Sequence, residues 1–380
     1  MKKTLKCAIV GIGFIGKQHY EAIRRCPNTE VVSIVDYKEE RGRSFASQYG
    51  IASSYTSLED MLNEQEVDVV HICTPNNLHY SMAKTVIEHG VHVFCEKPLS
   101  LTAKESEELV RLTNKYNVKH GVNLNYRSNA MVREMRSRVI NNHAEDLLMV
   151  HANYIQDWLM FDDDYDWHFD PELVGPSRTV ADIGSHVFDT VQFISNQKIK
   201  RVFAKLLTVY PTRKKREQFG ETFALTYGEN FEEVEIVNED GAMIIAELES
   251  GVSVSINLSQ VTGGHKNAFD VTFSHSNYSM SWNQERADRL VIGKRNEGNE
   301  ELYADAKYLS DDVKRFISLP NGHAVGWADA IKNSIYEFYL SLEDDTLVDS
   351  VVTFEDGHYL MKIVEACLLS NIENRWVDVE

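Results

Sequence analysis

Three glycines near the start of the chain have the spacing of a phosphate-binding turn. Gly11, Gly13 and Gly16 follow the apolar run 5–10 in a G-x-G-x-x-G pattern. The first glycine permits a tight turn out of a strand, the second lets a pyrophosphate approach the backbone, and the third lets a helix pack close to the sheet. The start of that helix offers N–H groups and a positive dipole end to phosphates. The pattern therefore predicts a dinucleotide-binding turn.

An acidic residue stands at the distance that ribose binding requires. Asp36 ends the second apolar run, 20 residues after Gly16. A carboxylate there accepts hydrogen bonds from the ribose hydroxyls of NAD and repels the 2′-phosphate of NADP. NAD is therefore the predicted cofactor, while the basic side chains of Lys38, Arg41 and Arg43 leave NADP open. The alternative interpretation of Asp36 is a helix N-cap.

Two further segments lie where predicted strands end, at the edge where open α/β sheets bind ligands. One is C-T-P-N-N-L-H at 73–79, and the other is C-E-K-P at 95–98. Lys97 would project from its strand end toward the nicotinamide, and an ordinary surface lysine is an equal alternative. The predicted cofactor-binding residues are Gly11, Gly13, Phe14, Ile15, Gly16, Asp36, Thr74, Pro75, Asn76, His79, Glu96 and Lys97.

These residues are positioned by short apolar runs that alternate with amphipathic stretches. The predicted strands are 5–10, 31–35, 67–74, 91–95 and 118–122, and the predicted helices are 15–25, 38–48, 78–88 and 103–116. Continuous apolar runs are typical of parallel strands that are covered on both faces. The alternation predicts an α/β fold with a doubly wound parallel sheet of the Rossmann type.

After about residue 127 the pattern changes and strands dominate. The predicted elements are helix 131–140, strand 147–154, helix 180–195, the strand pairs 242–248 with 252–258 and 268–273 with 278–282, and helices 326–342 and 354–369. We expect one face of this sheet to be covered by helices and the other by a partner. The basic run Arg213–Arg216 is predicted to be a solvated loop.

One predicted helix, 180–194, carries a histidine between two carboxylates. Asp182, His186 and Asp189 share a face away from its apolar stripe, and the first two stand four residues apart. A carboxylate beside a histidine fixes its tautomer and suits it to general acid–base catalysis. A solvated helix face and a metal pair are the competing interpretations. No third ligand stands at a motif spacing, so no metal is predicted.

An aromatic and acidic loop at 156–168 precedes this helix. Aromatic rings suit the apolar faces of a sugar ring, and carboxylates suit its hydroxyls, which predicts a substrate wall that includes Trp158. A plain surface loop and a calcium loop are the alternatives. Tyr126 and Arg127, which follow the last predicted strand of the first sheet, and His323, before a late helix, are further candidates.

Composition excludes several classes of protein. The 380 residues predict about two domains, and the net charge of −19 argues against general nucleic-acid or anionic-membrane binding. No apolar run reaches the roughly 18 residues that span a bilayer. Five scattered cysteines without a C-x-x-C pair indicate reduced thiols. We therefore expect a cytoplasmic protein.

The three motifs occur together and in order. G-I-G-F-I-G with Asp36, E-K-P at 96–98 and D-x-G-S-H-x-x-D at 182–189 resemble the Gfo/Idh/MocA oxidoreductases, which include glucose-fructose oxidoreductase and inositol dehydrogenases. The resemblance covers essentially the whole chain. Each motif is modest alone, and the three at these separations are specific.

The resemblance implies a Rossmann domain at 1–125 and a substrate-binding α/β domain at 126–380, built on a large, mostly antiparallel sheet. That sheet would form a homodimer face, often within a homotetramer. Lys97 would lie near the reacting hydroxyl, and His186 would be the general base, oriented by Asp182. Substrates would be sugars, cyclic polyols or their derivatives. The substrate-binding residues expected are Lys97, Tyr126, Arg127, Trp158, Asp182, His186 and His323.

Three functions are open on these grounds. The leading one is an NAD-dependent dehydrogenase that acts on a secondary hydroxyl. The second is a glycoside-cleaving enzyme that retains its NAD and causes no net redox change. The third is a non-catalytic cofactor sensor, which would be expected to have lost Lys97 or His186, and both are present.

Overall fold

The computed structural model describes residues 4–141, 147–218, 227–344, 346 and 351–380. The chain forms two compact units. The first comprises Met1–Leu124, Glu172–Gly175 and Ile331–Met361, and the second comprises Asn125–Pro171, Pro176–Ala330 and Lys362–Glu380. In the described part of the chain, no helix has both the length and the apolar character needed to cross a membrane.

The first unit contains a six-stranded parallel sheet with the order β3-β2-β1-β4-β5-β6. Its strands are β1 (Leu5–Val10), β2 (Thr29–Val35), β3 (Ser53–Tyr55), β4 (Val69–Ile72), β5 (His92–Cys95) and β6 (His120–Val122). Its connecting helices are α1 (Phe14–Arg24), α2 (Glu39–Tyr49), α3 (Leu58–Glu64), α4 (His79–Glu88) and α5 (Ala103–Tyr116). The predicted doubly wound sheet is confirmed. The strand order reverses between β1 and β4, where such sheets bind ligands.

Local sequence explains the ends of these elements. Thr102 and Glu105 form a reciprocal capping box at the start of α5, and Asn117 ends that helix in the left-handed conformation.

The short strand β3 and the helix α3 are absent from the sequence prediction. The three residues of β3 are half-buried and lie at the sheet edge, so they form no apolar run that could have indicated a strand.

The second unit contains a nine-stranded sheet with the order β16-β15-β14-β13-β7-β12-β11-β8-β17. These strands are β7 (Leu147–Ile155), β8 (Ile199–Leu207), β11 (Gly241–Leu248), β12 (Ser253–Ser259), β13 (Ala268–His275), β14 (Ser279–Asn283), β15 (Arg289–Gly293), β16 (Glu300–Tyr303) and β17 (Val377–Asp378). Counting both units, the remaining helices of the chain are α6 (Ala130–Asn141), α7 (Pro171–Val174), α8 (Ser185–Ser195), α9 (Trp327–Glu343) and α10 (Phe354–Glu373). Among the described strand pairs of this sheet, only β7–β12 is parallel, so the predicted mostly antiparallel sheet is confirmed.

The two faces of this sheet differ in burial. Val254, Ile256 and Leu258 of β12 alternate inward and are buried. On the neighbouring strand β11, Met243 and Ile245 remain 59% and 48% exposed. The homo-oligomer expected from the sequence stays a prediction.

The basic run does not form the solvated loop that its charge suggests. Arg213–Arg216 lies in a strand, β9 (Thr212–Gln218), which pairs with the antiparallel strand β10 (Tyr227–Glu235). Its register sets Lys214 opposite Glu233. Acidic residues elsewhere in the chain, which a local pattern cannot reveal, neutralise this run, so the prediction of a loop was wrong.

A buried carboxylate holds two arginines inside the second unit. Asp240 Oδ1 accepts hydrogen bonds from Arg178 Nη2 at 2.5 Å and from Arg213 Nη2 at 2.8 Å. All three side chains are at most 1% exposed. Asp240 Oδ2 accepts from the backbone N–H groups of Val209 and Tyr210. The cluster is stable because every charge has an opposite partner and the acceptor oxygens are used.

We predict that Asp240→Asn lowers the free energy of unfolding by about 3–5 kcal/mol, because it removes the charge of the carboxylate that both buried guanidinium groups bind. Urea unfolding of the full chain measures this change. Asp311→Asn is the control, since Asp311 pairs with Lys314 at the surface and is 96% exposed. Equal stability of the D240N variant and the parent chain would contradict the assignment.

Candidate active site

The glycine turn of the first unit leaves space where a pyrophosphate would approach. Gly11 has φ +89°, and a Cβ added there would lie 2.7 Å from the Cys73 carbonyl oxygen. A Cβ on Gly16 would lie 2.0 Å from the Gly11 oxygen, so both positions need glycine. A Cβ on Gly13 would meet nothing within 4 Å. Helix α1 begins directly after Gly13, with Phe14 and Ile15 in its first turn, so its N-terminus faces this open space.

Asp36 lies at the end of β2 and is 2% exposed. Its Oδ2 accepts a hydrogen bond from the Ile12 N–H at 2.9 Å, which ties it to the glycine turn. Its Oδ1 accepts from the Lys38 N–H at 2.9 Å, and the Arg41 guanidinium binds both oxygens at 3.0 Å. The sequence indicates the ribose role of this carboxylate, but not that Arg41 neutralises it.

The segment after β4 presents polar atoms that find no partner within the described chain. The hydroxyl of Thr74 and the side-chain oxygen of Asn77 are buried and make no hydrogen bond there. Pro75 and Asn76 lie between them and are half-buried. A buried polar group without a partner costs free energy, so these atoms fit a polar ligand. This open edge and the glycine turn together fit a dinucleotide.

His79 connects this segment to the E-K-P turn. Its Nδ1 lies 2.7 Å from the Pro98 carbonyl oxygen, and its Nε2 lies 2.9 Å from the Thr74 carbonyl oxygen. Burial lowers the pKa of His79, while the two carbonyls oppose that shift. His79 therefore connects the two loops, and its predicted contact with the cofactor stays a prediction.

A buried chain of hydrogen bonds ends at the backbone of Lys97. Glu96 is 5% exposed, and its Oε2 accepts from the Lys97 N–H at 3.1 Å. Its Oε1 contacts His19 Nε2 at 2.9 Å and accepts from Asn123 Nδ2 at 2.6 Å. Burial raises the pKa of Glu96. The hydrogen bond and the charge of His19, and then the hydrogen bond from Asn123, outweigh this effect and lower the pKa below its ordinary value. The carboxylate is therefore ionised beneath Lys97.

The same chain continues away from Glu96 through two histidines. His19 Nδ1 lies 3.0 Å from His71 Nδ1, and His71 Nε2 lies 2.7 Å from the Tyr339 hydroxyl, which contacts Cys7 Sγ at 3.2 Å. Burial, with a smaller effect of His19, lowers the pKa of His71 well below its ordinary value. In a neutral His71 one ring nitrogen donates and the other accepts, so its tautomer sets the direction of the hydrogen bonds toward Tyr339 and His19.

In the second unit, the predicted catalytic helix does not begin as a regular α-helix. Residues Val180–Gly184 form a π-helical turn, and α8 starts at Ser185. Such turns insert one extra residue and are frequent at functional sites. Asp182 lies in this turn and is half-buried, and His186 lies in the first turn of α8 and is 6% exposed. The simple four-residue helical spacing expected from the sequence therefore does not describe this pair.

A ring of three hydrogen bonds fixes an aromatic wall against His186. Tyr126 contacts the Tyr154 hydroxyl at 2.9 Å, Tyr154 donates to Asn267 Oδ1 at 2.6 Å, and Asn267 Nδ2 donates to the Tyr126 oxygen at 3.1 Å. The Tyr126 and His186 rings meet edge to face, with centroids 4.7 Å apart. Burial raises the pKa of Tyr126 to about 12, so the phenol stays protonated.

Arg127 binds a carboxylate of its own unit. Its Nε donates to Asp189 Oδ2 at 3.0 Å, its Nη2 donates to Oδ1, and both residues are buried. The guanidinium also lies over the Phe193 ring, 5.0 Å from its centroid. Asp189, the last residue of the D-x-G-S-H-x-x-D motif, thus pairs with Arg127. The predicted contact of Arg127 with substrate stays a prediction.

The acidic loop is held by basic side chains. Asp162 pairs with Lys214, Asp163 with Arg216, and Asp157 with Lys266. Three carboxylates of the loop therefore form ion pairs within the protein. Arg213 Nη2 donates to the Leu159 carbonyl at 3.0 Å, which anchors the loop to the cluster around Asp240.

Trp158 is the predicted substrate residue of this loop. It is half-buried, and its Nε1 donates to Gln156 Oε1 at 3.1 Å. His168 packs edge-on against its ring, with centroids 5.3 Å apart.

His323 lies in the segment before α9. Its side chain is exposed, and its Nδ1 is 3.1 Å from the Pro320 carbonyl oxygen. Its predicted contact with substrate stays a prediction.

Several residues of these networks escaped the sequence analysis. His19 stands three residues after Gly16, but nothing in the spacing indicates that it reaches Glu96. Gln260 donates to Asp182 Oδ2 at 2.8 Å, and Asn267 completes the tyrosine ring. Their partners lie 77 to 141 residues away in the chain, so no local signal could have found them.

The fold and these side chains define a dinucleotide-dependent oxidoreductase. Residues 5–124 match the oxidoreductase family with an NAD-binding Rossmann fold, and residues 132–279 match the GFO/IDH/MocA C-terminal domain. The chain belongs to the GFO/IDH/MocA family of oxidoreductases, and its cofactor is NAD.

Known relatives are similar over most or part of the chain. Levoglucosan dehydrogenase of Pseudarthrobacter phenanthrenivorans is 23% identical over 99% of this chain and 98% of that protein. D-glucoside 3-dehydrogenase of Escherichia coli (strain K12) is 27% identical over 59% of this chain and 63% of that protein. The crystal structure of an inositol dehydrogenase homolog from Azotobacter vinelandii, complexed with NAD+, aligns with a TM-score of 0.85 and 23% identity over 100% of this chain and 98% of that one.

We predict that Asp36→Ala weakens NAD binding about tenfold or more, because a charged hydrogen-bond acceptor for the ribose is lost. NADP binding should weaken less, since Arg41 is then released from its carboxylate. Titration of each cofactor by calorimetry measures both affinities. Glu39→Ala is the control, because Glu39 is exposed and pairs with Arg43 in the same helix. Equal losses for NAD and NADP would contradict the assigned role.

A second prediction concerns the buried histidine chain. His71 stays neutral in the folded chain, whereas the unfolded chain takes up a proton below about pH 6.5. Stability should therefore fall as the pH decreases from 7.5 to 5.5. His71→Gln should reduce that slope by up to about 1.4 kcal/mol per pH unit, in chemical unfolding at several pH values. The exposed His89→Gln variant is the control, and an unchanged slope in H71Q would contradict the prediction.

Proposed function

We propose that this chain oxidises a secondary hydroxyl of a sugar, a cyclic polyol of the inositol type or a glycoside, with NAD as the hydride acceptor. The observation that carries the proposal is the buried His186, fixed against Tyr126 in a chain whose first unit is an NAD-binding Rossmann fold. The names of the relatives support the substrate class, because they act on levoglucosan, D-glucosides and inositol.

The first unit would hold the cofactor by its backbone and one carboxylate. The turn Gly11–Gly16 would bind the pyrophosphate, and Asp36 the adenosine ribose. Thr74 and Asn77 offer buried polar atoms on the same edge of the sheet. When bound, NAD supplies the hydride acceptor.

The protein's own chemistry concerns the proton. Oxidation of a secondary alcohol to a ketone removes a hydride from carbon and a proton from oxygen. His186 takes that proton as general base, and Asp182 orients the imidazole. The Lys97 ammonium stabilises the developing negative charge on the alcohol oxygen, supported by the ionised Glu96 that binds its backbone.

The aromatic residues of the second unit suit a polyhydroxylated ring. Trp158 offers an aromatic face to the C–H groups of a sugar, and Gln156 and His168 hold that face in place. Tyr126 lies beside His186 with its hydroxyl in the tyrosine ring of hydrogen bonds. Arg127 and His323 are the remaining proposed substrate residues.

We predict NADH formation when the purified chain is given NAD and a panel of inositols, sugars and glycosides. His186→Ala or Lys97→Ala should lower kcat by on the order of a hundredfold or more, because proton removal or charge stabilisation is lost. NADH binding, followed by fluorescence, should remain nearly intact in both variants. His151→Ala is the control, because His151 is exposed on the sheet of the second unit.

Two outcomes would contradict this proposal. Cleavage of a glycoside by protein with bound NAD, without net NADH, would assign the redox-neutral reaction instead. Binding of NAD without turnover of any compound would assign a non-catalytic role. Unchanged kcat in H186A or K97A would remove that residue from the mechanism.

A further inference from the structure

A buried glutamine lies directly beside the carboxylate of Asp182. Gln260 follows the last residue of β12 and is 0% exposed. Its Nε2 donates to Asp182 Oδ2 at 2.8 Å, and its Oε1 accepts from Arg178 Nη1 at 2.6 Å. Both polar ends of this side chain are therefore used within the second unit.

The chemistry of its two neighbours determines which way the amide points. A guanidinium has only donors, so the oxygen of Gln260 must face Arg178. An ionised carboxylate only accepts, so the nitrogen of Gln260 must face Asp182. The reverse orientation would set donor against donor at Arg178 and acceptor against acceptor at Asp182.

Arg178 is itself held rigidly. Its Nη2 binds Asp240 at 2.5 Å, and its guanidinium lies over the Phe169 ring, 4.3 Å from the centroid. Arg213 shares both the carboxylate and the ring, at 2.8 Å and 4.5 Å. Gln260 thus extends a fixed cluster of charges toward Asp182.

We propose that Gln260 is a positioning residue, which holds the Asp182 carboxylate in place and ionised so that it can orient His186. This inference rests on the proposed function. The cluster around Asp240 also anchors the loop of Trp158 through Arg213 and the Leu159 carbonyl. The proposed base and the proposed substrate wall therefore depend on one common support.

Gln260→Glu tests this role with little change of shape. The new side chain keeps an oxygen for Arg178 but replaces the N–H donor by a second carboxylate oxygen beside Asp182. Two carboxylates at this distance share one proton near neutral pH. That proton would favour Asp182, because the introduced carboxylate pairs with the Arg178 guanidinium. The charge of Asp182 also acts on the pKa values of Tyr126, Tyr154 and Arg178.

The expected result is a loss of kcat of about tenfold or more at pH 7, with KM and NADH affinity nearly unchanged. The acid limb of the kcat–pH profile should move upward by about one pH unit or more, so that activity recovers at higher pH. Gln192→Glu is the matched control. Gln192 is buried in α8, its Oε1 accepts from the Ile199 N–H at 3.0 Å, and a carboxylate can do the same.

If Q260E does not fold, Gln260→Met removes the donor without adding charge. It should lower kcat while KM and NADH affinity are kept, and unchanged kcat would overturn the proposal. For a folded Q260E variant, an unmoved acid limb would overturn it, whether kcat is normal or lowered equally at every pH. A wild-type chain without turnover would instead overturn the proposed function, and the role of Gln260 with it.

Discussion

The second unit depends on the burial of a single carboxylate between two guanidinium groups. Neither Arg178 nor Arg213 could be withdrawn from water without Asp240, because an unpaired buried charge costs several kcal/mol. Once paired, the two arginines serve different elements. Arg213 anchors the loop that carries Trp158, and Arg178 supports the amide beside Asp182. One ion cluster therefore positions both the loop proposed as the substrate wall and the amide proposed to support the base.

The first unit uses a buried carboxylate in a related way, but hydrogen bonds replace the arginines. Glu96 is held by His19, Asn123 and the Lys97 N–H, and His71 and Tyr339 continue the chain of hydrogen bonds behind His19. This arrangement keeps a buried negative charge next to the Lys97 backbone without an arginine. In both units, hydrogen bonds from polar groups that do not themselves react fix the position of a residue proposed for catalysis.

The parts that could be predicted from the sequence are those with a local signal. The spacing of Gly11, Gly13 and Gly16 requires a particular turn, and continuous apolar runs indicated the parallel strands on either side of it. The supporting networks could not be predicted, because their members are distant in the chain. Arg213 was expected to be solvated since its counter-charge, Asp240, is not a local neighbour. The π-helical turn at Asp182 also escaped, because apolar periodicity does not distinguish it from an α-helix.

The most direct test of the central claim follows the hydrogen itself. The sugar or polyol that yields NADH in the panel would be supplied with deuterium on its carbons, and the reduced cofactor analysed by mass spectrometry. Direct hydride transfer predicts NADH that is one mass unit heavier. Reduced cofactor without deuterium, or no reduced cofactor from any compound, would contradict the account.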